Sequence, residues 1–469
     1  MNLYGCPPFP ESEVAAFGSS TASAISETGF AAASRLRSRL LKEVDVLPRE
    51  LIYAREMNRI RRELLTLCGV SDLAGLEVAI AASGTDAHLF AAHLAEDEGQ
   101  PSFIVMIDAA ETGSRVPMAL CGAGSEGRPV REVLTVPVRL ADGSPRPAAE
   151  VDGDVDALVS VAVAKGRRVL LILVDISKTG FIAPSPACVL KLQRRFPDSV
   201  DVLVDACQFR VAPPTLRAYL EQGFMVTITG SKFVTGPTFS GALLIPETAA
   251  RKIRARPFSR ALSEIANPAD WPLDWFPDGT QANFGLLLRW EAALEDLRAF
   301  YAVPDEAVMR FILSFSDVVQ ARLASDPFFE ALATPRPDRR PLIGAASWDS
   351  LQTIFPFLLF HTEPHRAKVP LSREQTALVN RLLQLDLAVD TPASVDVASF
   401  GSLASLRCQL GQPVNCGVIE GVPVSALRLC LSARLIVEAT AQNGLNASKI
   451  IERALAVLDK TARIAASLG

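Results

Sequence analysis

Residues 199–246 read SVDVLVDACQFRVAPPTLRAYLEQGFMVTITGSKFVTGPTFSGALLIP, and this stretch decides the fold. Two apolar, β-branched runs, 199–206 and 225–229, are separated by enough chain for a helix, which is the pattern of neighbouring parallel strands. A third run, 241–246, follows the second after only about ten residues, too few for a helical crossover. We therefore expect the third strand to run antiparallel to the second.

The same alternation of apolar runs and helical stretches extends toward the N-terminus. Short apolar runs alternate there with helical stretches, and the four further runs lie at 76–83, 102–108, 131–138 and 167–175. The sequence therefore predicts an α/β fold with a seven-stranded, mostly parallel sheet. We expect three parts, namely an N-terminal segment with a helix, a large domain built on this sheet, and a smaller α+β C-terminal domain, over 1–70, 71–304 and 305–469.

Composition excludes several classes of protein. With 49% hydrophobic and 21% charged residues, the 469-residue chain is too apolar to be disordered. Its net charge of −5, with dispersed Lys and Arg, argues against a nucleic-acid partner. No apolar stretch approaches the roughly 20 residues that span a bilayer, and the beginning lacks an export signal, so we expect a cytoplasmic protein without a membrane partner. The eight cysteines form no CxxC pair and the four histidines no metal-ligand set, so we expect reduced thiols and no metal.

Residues at the carboxyl ends of parallel strands are the candidates for chemistry, because ligands bind at that edge of a sheet. The run 76–83 ends in Ser83, and Gly84 and Thr85 then lead into a predicted helix. The amides and positive dipole at the start of a helix suit a phosphate. The same residues also suit a simple helix N-cap, so this feature alone leaves both readings open.

Two further strand ends carry reactive side chains. The run 199–206 ends with Asp205 and Ala206, and Gln208 follows it. An acid in this position could cap a loop, bind a metal or keep a heterocyclic nitrogen protonated. Lys232 follows 225–229, next to Ser231 and close to Thr229. A lysine on such an edge is either a solvated surface residue or a nucleophile at the focus of the sheet.

The order SGTD, DACQ, TGSK, TGP and GAL resembles the pyridoxal-phosphate enzymes of fold type I. Within that fold it is most similar to the aminotransferase class V group, which includes the cysteine desulfurases. The resemblance spans about residues 75–300 and, more weakly, the C-terminal part. It implies that the cofactor is pyridoxal 5′-phosphate and that the large domain has the fold type I architecture.

The resemblance also implies roles for these residues. Lys232 would form the internal aldimine and move the proton at the substrate Cα, while Asp205 would pair with the pyridine nitrogen. Gln208 would donate to the phenolic oxygen of the ring. The phosphate would be held beside Ser83 by Gly84, Thr85, Thr229 and Ser231, where Ser231 replaces a His of the desulfurases.

Three softer matches complete the predicted site. Ser177, in Ser177-Lys178-Thr179-Gly180, stands where the desulfurases have an Asn that faces cofactor and substrate. Thr280 matches a residue that reaches the phosphate of the neighbouring subunit, which implies a homodimer with shared active sites, with a simple N-cap for the helix near Asn283 as the alternative. Arg428 matches the Arg that clamps the substrate carboxylate, with an ordinary salt bridge as the alternative.

The resemblance implies an enzyme that acts on the amino group of an amino acid or a related small-molecule substrate through an external aldimine and a quinonoid. We expect an aminotransferase-like transferase. The alternatives are a cysteine desulfurase or another carbon–sulfur lyase or substitution enzyme, and a non-catalytic binding protein on the same fold. Residues 109–114 lack the ring that family members stack on the cofactor, and Cys408 and Cys416 are the candidates for a reactive thiol, with buried packing as the alternative.

Overall fold

The computed structural model describes residues 6–18, 23–96, 102–122, 130–254, 262, 267–272, 281–344, 346–363, 366–390 and 397–468. Its strands are β1 (Ala15–Phe17), β2 (Glu77–Ala81), β3 (Phe103–Ile107), β4 (Glu132–Val136), β5 (Val169–Asp175), β6 (Ile182–Ala183), β7 (Val200–Ala206), β8 (Met225–Thr229), β9 (Gly241–Ile245), β10 (Phe329–Ala331), β11 (Ile354–Glu363), β12 (Arg366–Pro370), β13 (Cys408–Ile419) and β14 (Val422–Cys430).

The helices in these ranges are α1 (Glu27–Glu43), α2 (Arg49–Leu67), α3 (Gly84–Leu94), α4 (Val116–Cys121), α5 (Ala148–Ala164), α6 (Pro186–Arg195), α7 (Pro213–Glu221), α8 (Glu247–Arg254), α9 (Phe284–Tyr301), α10 (Asp305–Ser325), α11 (Arg373–Leu382), α12 (Ala433–Gly444) and α13 (Ala447–Ala466). None of them is long and apolar enough to cross a membrane.

The large sheet has the strand order β2-β9-β8-β7-β5-β3-β4. β9 runs antiparallel to β2 and β8, and the other pairs along this path are parallel. The predicted seven-stranded, mostly parallel sheet with an antiparallel last strand is confirmed. The short β6 adds an eighth strand, antiparallel to β5, which the sequence did not indicate.

Burial explains why these strands read as continuous apolar runs. Every residue of β3, β5, β8 and β9 is buried, so both faces of the sheet are covered. The cover includes α3, which contacts β8 and β9, and α5, which contacts β3 and β5. Because the helices alternate with the strands along the chain, the carboxyl ends of the parallel strands meet at one edge.

A second sheet with the order β1-β13-β14-β11-β10, with β12 paired to β11, forms the C-terminal α+β part. β1, from the N-terminal segment, pairs with β13 in parallel. The helices of this part share a core with the sheet that includes Phe315, Trp348, Phe357 and Leu429. The predicted smaller α+β part is confirmed, whereas the boundaries at 70 and 304 stay predictions.

A buried ion pair ties the two sheets together. Arg339, which precedes β11, donates from Nε and Nη2 to the two carboxylate oxygens of Asp175 at the end of β5, both at 2.7 Å. The hydroxyl of Tyr219 in α7 donates to the same carboxylate at 2.8 Å. Such a bidentate pair fixes orientation as well as distance. It therefore fixes the connection between β10 and β11 against the carboxyl end of β5.

Candidate active site

A cavity of about 500 Å³ lies at this edge. That volume is within the range of small-molecule sites, roughly 300–1,000 Å³. Its lining includes most of the residues that the sequence singled out, namely Ser83, Gly84, Thr85, Asp205, Gln208, Thr229, Ser231, Lys232 and Arg428.

The start of α3 forms one wall of the cavity. Ser83 caps the helix, accepting from the Asp86 amide at 3.2 Å and donating to the Asp86 carboxylate at 2.7 Å. A Cβ on Gly84 would lie 2.6 Å from Sγ of Cys207, so only glycine lets the helix start this close to β7 and β8. The structure therefore shows the N-cap, and phosphate binding by the remaining first-turn amides stays a prediction.

The hydroxyl proton of Thr229 is already used in a hydrogen bond within the protein. It donates to the carbonyl of Cys207 at 2.7 Å, so its lone pairs, rather than its proton, remain for a ligand. Ser231 is buried at the cavity wall beyond the end of β8. Of the two hydroxyls, Ser231 is thus the better donor to an anion.

Asp205 is a buried carboxylate at the end of β7. Its Oδ1 accepts from the amide of Cys207 at 3.1 Å, and its Oδ2 lies 3.2 Å from Nε2 of His88. Burial alone would raise the pKa of Asp205, but His88, and then Lys232, hold it well below its usual range. The carboxylate is therefore charged in the folded protein, as a partner for a cationic ring nitrogen must be.

His88 is a residue of this site that the sequence reasoning did not assign. It lies in α3, fully buried, and its Nδ1 donates to the Gly84 carbonyl at 2.7 Å, which turns Nε2 toward Asp205. Burial alone would lower the pKa of His88, but the Asp205 carboxylate raises it overall. The available signal was its spacing, since a residue four positions after Gly84 shares its face of the helix.

Lys232 lies in the turn that follows β8. The Thr235 amide donates to the Lys232 carbonyl at 3.0 Å, and the Gly236 amide donates to the Gly230 carbonyl at 2.8 Å. A Cβ on Gly236 would lie 2.7 Å from Cβ of Ala293, so the turn is pressed against α9. This packing fixes the backbone from which the Lys232 side chain reaches into the cavity.

Ser177 does not line the cavity. Its hydroxyl donates to the carboxylate of Glu111 at 2.7 Å and accepts from the Phe181 amide at 3.0 Å. The neighbouring Lys178 lines the cavity instead, in a turn where the hydroxyls of Ser177 and Thr179 both donate to Glu111. Thr280, the other predicted residue that is not in the lining, lies outside the described residues.

Arg428 reaches the cavity from β14 and is 3% exposed. Its Nη2 donates to the Gln412 carbonyl at 2.9 Å and its Nη1 to the Lys178 carbonyl at 3.3 Å. Burial lowers the pKa of Arg428. Gly411 makes room for the guanidinium, since a Cβ there would lie 3.0 Å from its Cζ. Arg428 has no carboxylate partner among the residues that the structure describes, so the alternative of an ordinary salt bridge is not supported there.

The two candidate thiols lie elsewhere. Cys408 and Cys416 are buried outside this cavity, and burial raises the pKa of Cys408 to about 12 and that of Cys416 to about 11. A thiol with such a pKa is a poor nucleophile near neutral pH. Among the described residues that line the cavity, the phenyl ring is that of Phe239, which precedes β9.

A second cavity, of about 540 Å³, lies between the N-terminal segment and the β13 side of the second sheet. Arg407, Arg434 and Arg453 line it. It lies away from the carboxyl ends of β2, β7 and β8, where the acid, the lysine and the helix N-terminus converge. The first cavity is therefore the candidate active site.

Comparison with known proteins finds no family model and no curated protein that matches the sequence. Solved structures do match. Alanine–glyoxylate aminotransferase from Nostoc sp. aligns with a TM-score of 0.56 at 13% identity, covering 98% of this chain and 97% of its own. The cysteine desulfurase CsdA from Escherichia coli aligns with a TM-score of 0.54 at 15% identity, covering 97% and 96%.

The cystine C–S lyase C-DES, solved with cysteine persulfide, aligns with a TM-score of 0.55 at 15% identity over 97% of this chain and 98% of its own. Likeness at such low identity carries the architecture and not the activity. The aligned structures span almost the whole chain, including the second sheet. The chain therefore has the fold of these aminotransferase, desulfurase and lyase structures, which is the fold type I architecture that its sequence resembles.

Proposed function

We propose that the chain is a pyridoxal-phosphate-dependent enzyme that acts on the amino group of an amino acid, with aminotransferase-like chemistry. One observation carries the proposal. Lys232 and the charged Asp205, from the ends of the neighbouring strands β8 and β7, face one cavity together with the N-terminus of α3. A nucleophilic amine, a carboxylate and an anion site are the groups that this cofactor requires.

The donor set fits the cofactor group by group. The bound cofactor would supply an aldehyde that captures amines and a ring that accepts electrons from the substrate Cα. Lys232 would hold it covalently and then move the proton at Cα, and Asp205 would keep a ring nitrogen protonated. Gln208 lines the same cavity and would donate to the phenolic oxygen.

Two further contacts complete the binding scheme. The amides at the start of α3, with Ser231, would bind the phosphate. Arg428 would bind the substrate carboxylate with the N–H groups that the Gln412 and Lys178 carbonyls leave free. We propose further that the enzyme is a cytoplasmic homodimer in which Thr280 completes the phosphate site of the partner.

A desulfurase that uses Cys408 or Cys416 is disfavoured by the burial and raised pKa of both thiols. A lyase that needs no protein thiol, and a non-catalytic binding protein, remain outcomes of the same test. Purified protein is incubated with a panel of amino acids while the absorbance of the cofactor is followed.

We expect at least one amino acid to convert the cofactor to its amine form, pyridoxamine phosphate, with release of a 2-oxo acid. Release of sulfide, or of ammonia without the amine form, would contradict aminotransferase chemistry in favour of a lyase. A folded, cofactor-containing protein that responds to no amine would favour a binding protein.

A further inference from the structure

Lys178 is a second lysine of the candidate active site, and the proposed function gives it no role. Its position follows from the loop after β5. The hydroxyls of Ser177 and Thr179 donate to the buried carboxylate of Glu111 at 2.7 and 2.6 Å, and the Lys178 amide donates to the Glu111 carbonyl at 2.8 Å. With both neighbours tied back to Glu111, the Lys178 side chain is left facing the cavity.

Lys178 and Arg428 lie side by side. Arg428 donates from Nη1 to the Lys178 carbonyl at 3.3 Å and from Nε and Nη2 to the Gln412 carbonyl. Burial, and then the charges of Arg428 and Lys232, lower the pKa of Lys178 to about 8. Two cations therefore share one largely buried wall, an arrangement that is costly unless an anion joins them.

The acids that face this wall are already engaged. Glu111 accepts from Ser177, Thr179 and, at 3.1 Å, from Nε of Arg139. The Asp205 carboxylate is engaged by His88 and the Cys207 amide. No ion pair of Lys178 or Arg428 occurs within the described ranges. A bound anion is therefore the partner that this wall leaves room for.

Counting charges sets the ligand class. In the proposed function Lys232 is taken up by the cofactor, which leaves Lys178 and Arg428 as the largely buried positive charges on the substrate side. Arg115 also lines the cavity but is exposed to solvent. The carboxylate of a simple amino acid neutralises one of them. A substrate with two acidic groups neutralises both.

We propose that Lys178 and Arg428 form a two-point acid-binding subsite, so that the substrates are amino acids with a second acidic group, each acid on one cation. The proposal rests on the proposed function for the reaction at the amino group, while its binding geometry rests on this wall alone. Lys178 then determines specificity and takes no part in the bond-making steps.

Binding of acids that lack an amino group tests the subsite without any reaction. The holoprotein is titrated by calorimetry with glutarate, a dicarboxylate, and with butyrate, a monocarboxylate. We expect glutarate to bind roughly tenfold more tightly than butyrate, the range of one charge-assisted contact. Lys178→Gln should remove this preference while leaving butyrate binding within about twofold, and Lys178→Arg should retain it.

Lys165→Gln, at the exposed end of α5, is the matched control and should change neither affinity. Unchanged butyrate binding shows that Lys178→Gln still folds. Equal binding of the two acids by the wild type, or an unchanged glutarate preference in Lys178→Gln, would overturn the subsite.

The cofactor content of each preparation, read from its absorbance after denaturation, separates this result from the proposed function. A Lys178-dependent glutarate preference in a protein that holds no cofactor would support the subsite and contradict the proposed function. A protein that holds the cofactor but does not prefer glutarate would contradict the subsite and leave the proposed function standing.

Discussion

Asp205 is buried at the end of β7, with its Oδ2 3.2 Å from Nε2 of His88. Its identity as a site residue followed from its strand-end position in the sequence, and so did that of Lys232. The contact with His88 did not, because it depends on how α3 is rotated against the sheet. The sequence predicted that Ser177 faces the site, whereas Lys178 does so in the structure. The hydrogen bond from Ser177 to Glu111 turns Ser177 away, and this contact could not be predicted from the sequence.

The charge of Asp205 is the first testable feature at this scale. Asp205→Asn keeps the shape of the side chain but removes the charge that would keep the ring nitrogen of the cofactor protonated. We expect turnover with the best amino acid of the panel to fall roughly 100-fold or more, the scale of losing one preorganised electrostatic contact. Thermal unfolding, measured alongside, should show a folded protein with a lowered midpoint, because His88 and Lys232 lose the buried charge that they stabilise. Ordinary turnover in this variant would remove the proposed role.

The junction between β2 and α3 shows how single elements build the site. Ser83 caps the helix, and Gly84 lets its first turn approach β7 and β8. The sequence predicted this junction and also the antiparallel β9, because both follow from local signals. It did not predict that β1 pairs with β13, since three residues carry too little pattern to indicate a partner so distant in the chain.

Gly84→Ala tests the close approach of α3. The new Cβ would lie 2.6 Å from Sγ of Cys207, so the helix must shift away from the sheet. We expect a loss of about 1–3 kcal/mol in the free energy of unfolding and roughly tenfold weaker cofactor binding. Gly153→Ala in α5, where a Cβ meets nothing within 4 Å, is the control and should stabilise by about 0.5–1 kcal/mol. Equal effects of the two substitutions would contradict the account.

The contact of α9 with α1 predicts a pH dependence of stability. Burial raises the pKa of Asp296 in α9 to about 6, although the Ser26 hydroxyl donates to its Oδ1 at 2.7 Å. An unfolded Asp titrates near about 4. Between about pH 4 and pH 6 the folded protein therefore holds a proton that the unfolded chain releases, and the stability from this group is lost as the pH rises through 6.

Asp296→Asn removes that titration. The unfolding free energy of the variant minus that of the wild type should therefore rise by about 2 kcal/mol from pH 4 to pH 7, measured by urea unfolding. Asp317→Asn, on an exposed part of α10, should leave the pH dependence of the wild type unchanged. A pH-independent difference for Asp296→Asn would show that burial does not raise the pKa of the Asp296 carboxyl.

In the whole molecule, Arg339 joins the connection between β10 and β11 to Asp175 of β5, and Arg428 of β14 reaches the cavity at the edge of the large sheet. The sequence predicted the large sheet domain and the smaller α+β part because strand and helix alternate only in the first of them. Which residues of the second sheet face the cavity could not be predicted, because that depends on contacts between residues far apart in the chain, such as Arg428 and Lys178.

Shared active sites are the prediction that concerns the assembly. Lys232→Ala and Thr280→Ala proteins should each be severely impaired alone. In a composite dimer, mixing them creates one intact site per heterodimer, so a 1:1 mixture with complete exchange should reach about a quarter of wild-type activity. Native mass spectrometry of the mixture checks that exchange has occurred. No recovery despite exchange would mean that Thr280 serves its own subunit or no site.

The central claim is that Lys232 carries pyridoxal phosphate. Borohydride reduction of the purified protein, followed by digestion and mass spectrometry, tests it most directly, because Lys178 in the same cavity provides an internal competitor. We expect the cofactor mass on the peptide that contains Ser231 and Lys232, retained in Lys178→Gln and absent from Lys232→Ala. A cofactor mass on the Lys178 peptide, or a folded protein that carries no cofactor after incubation with it, would contradict the claim.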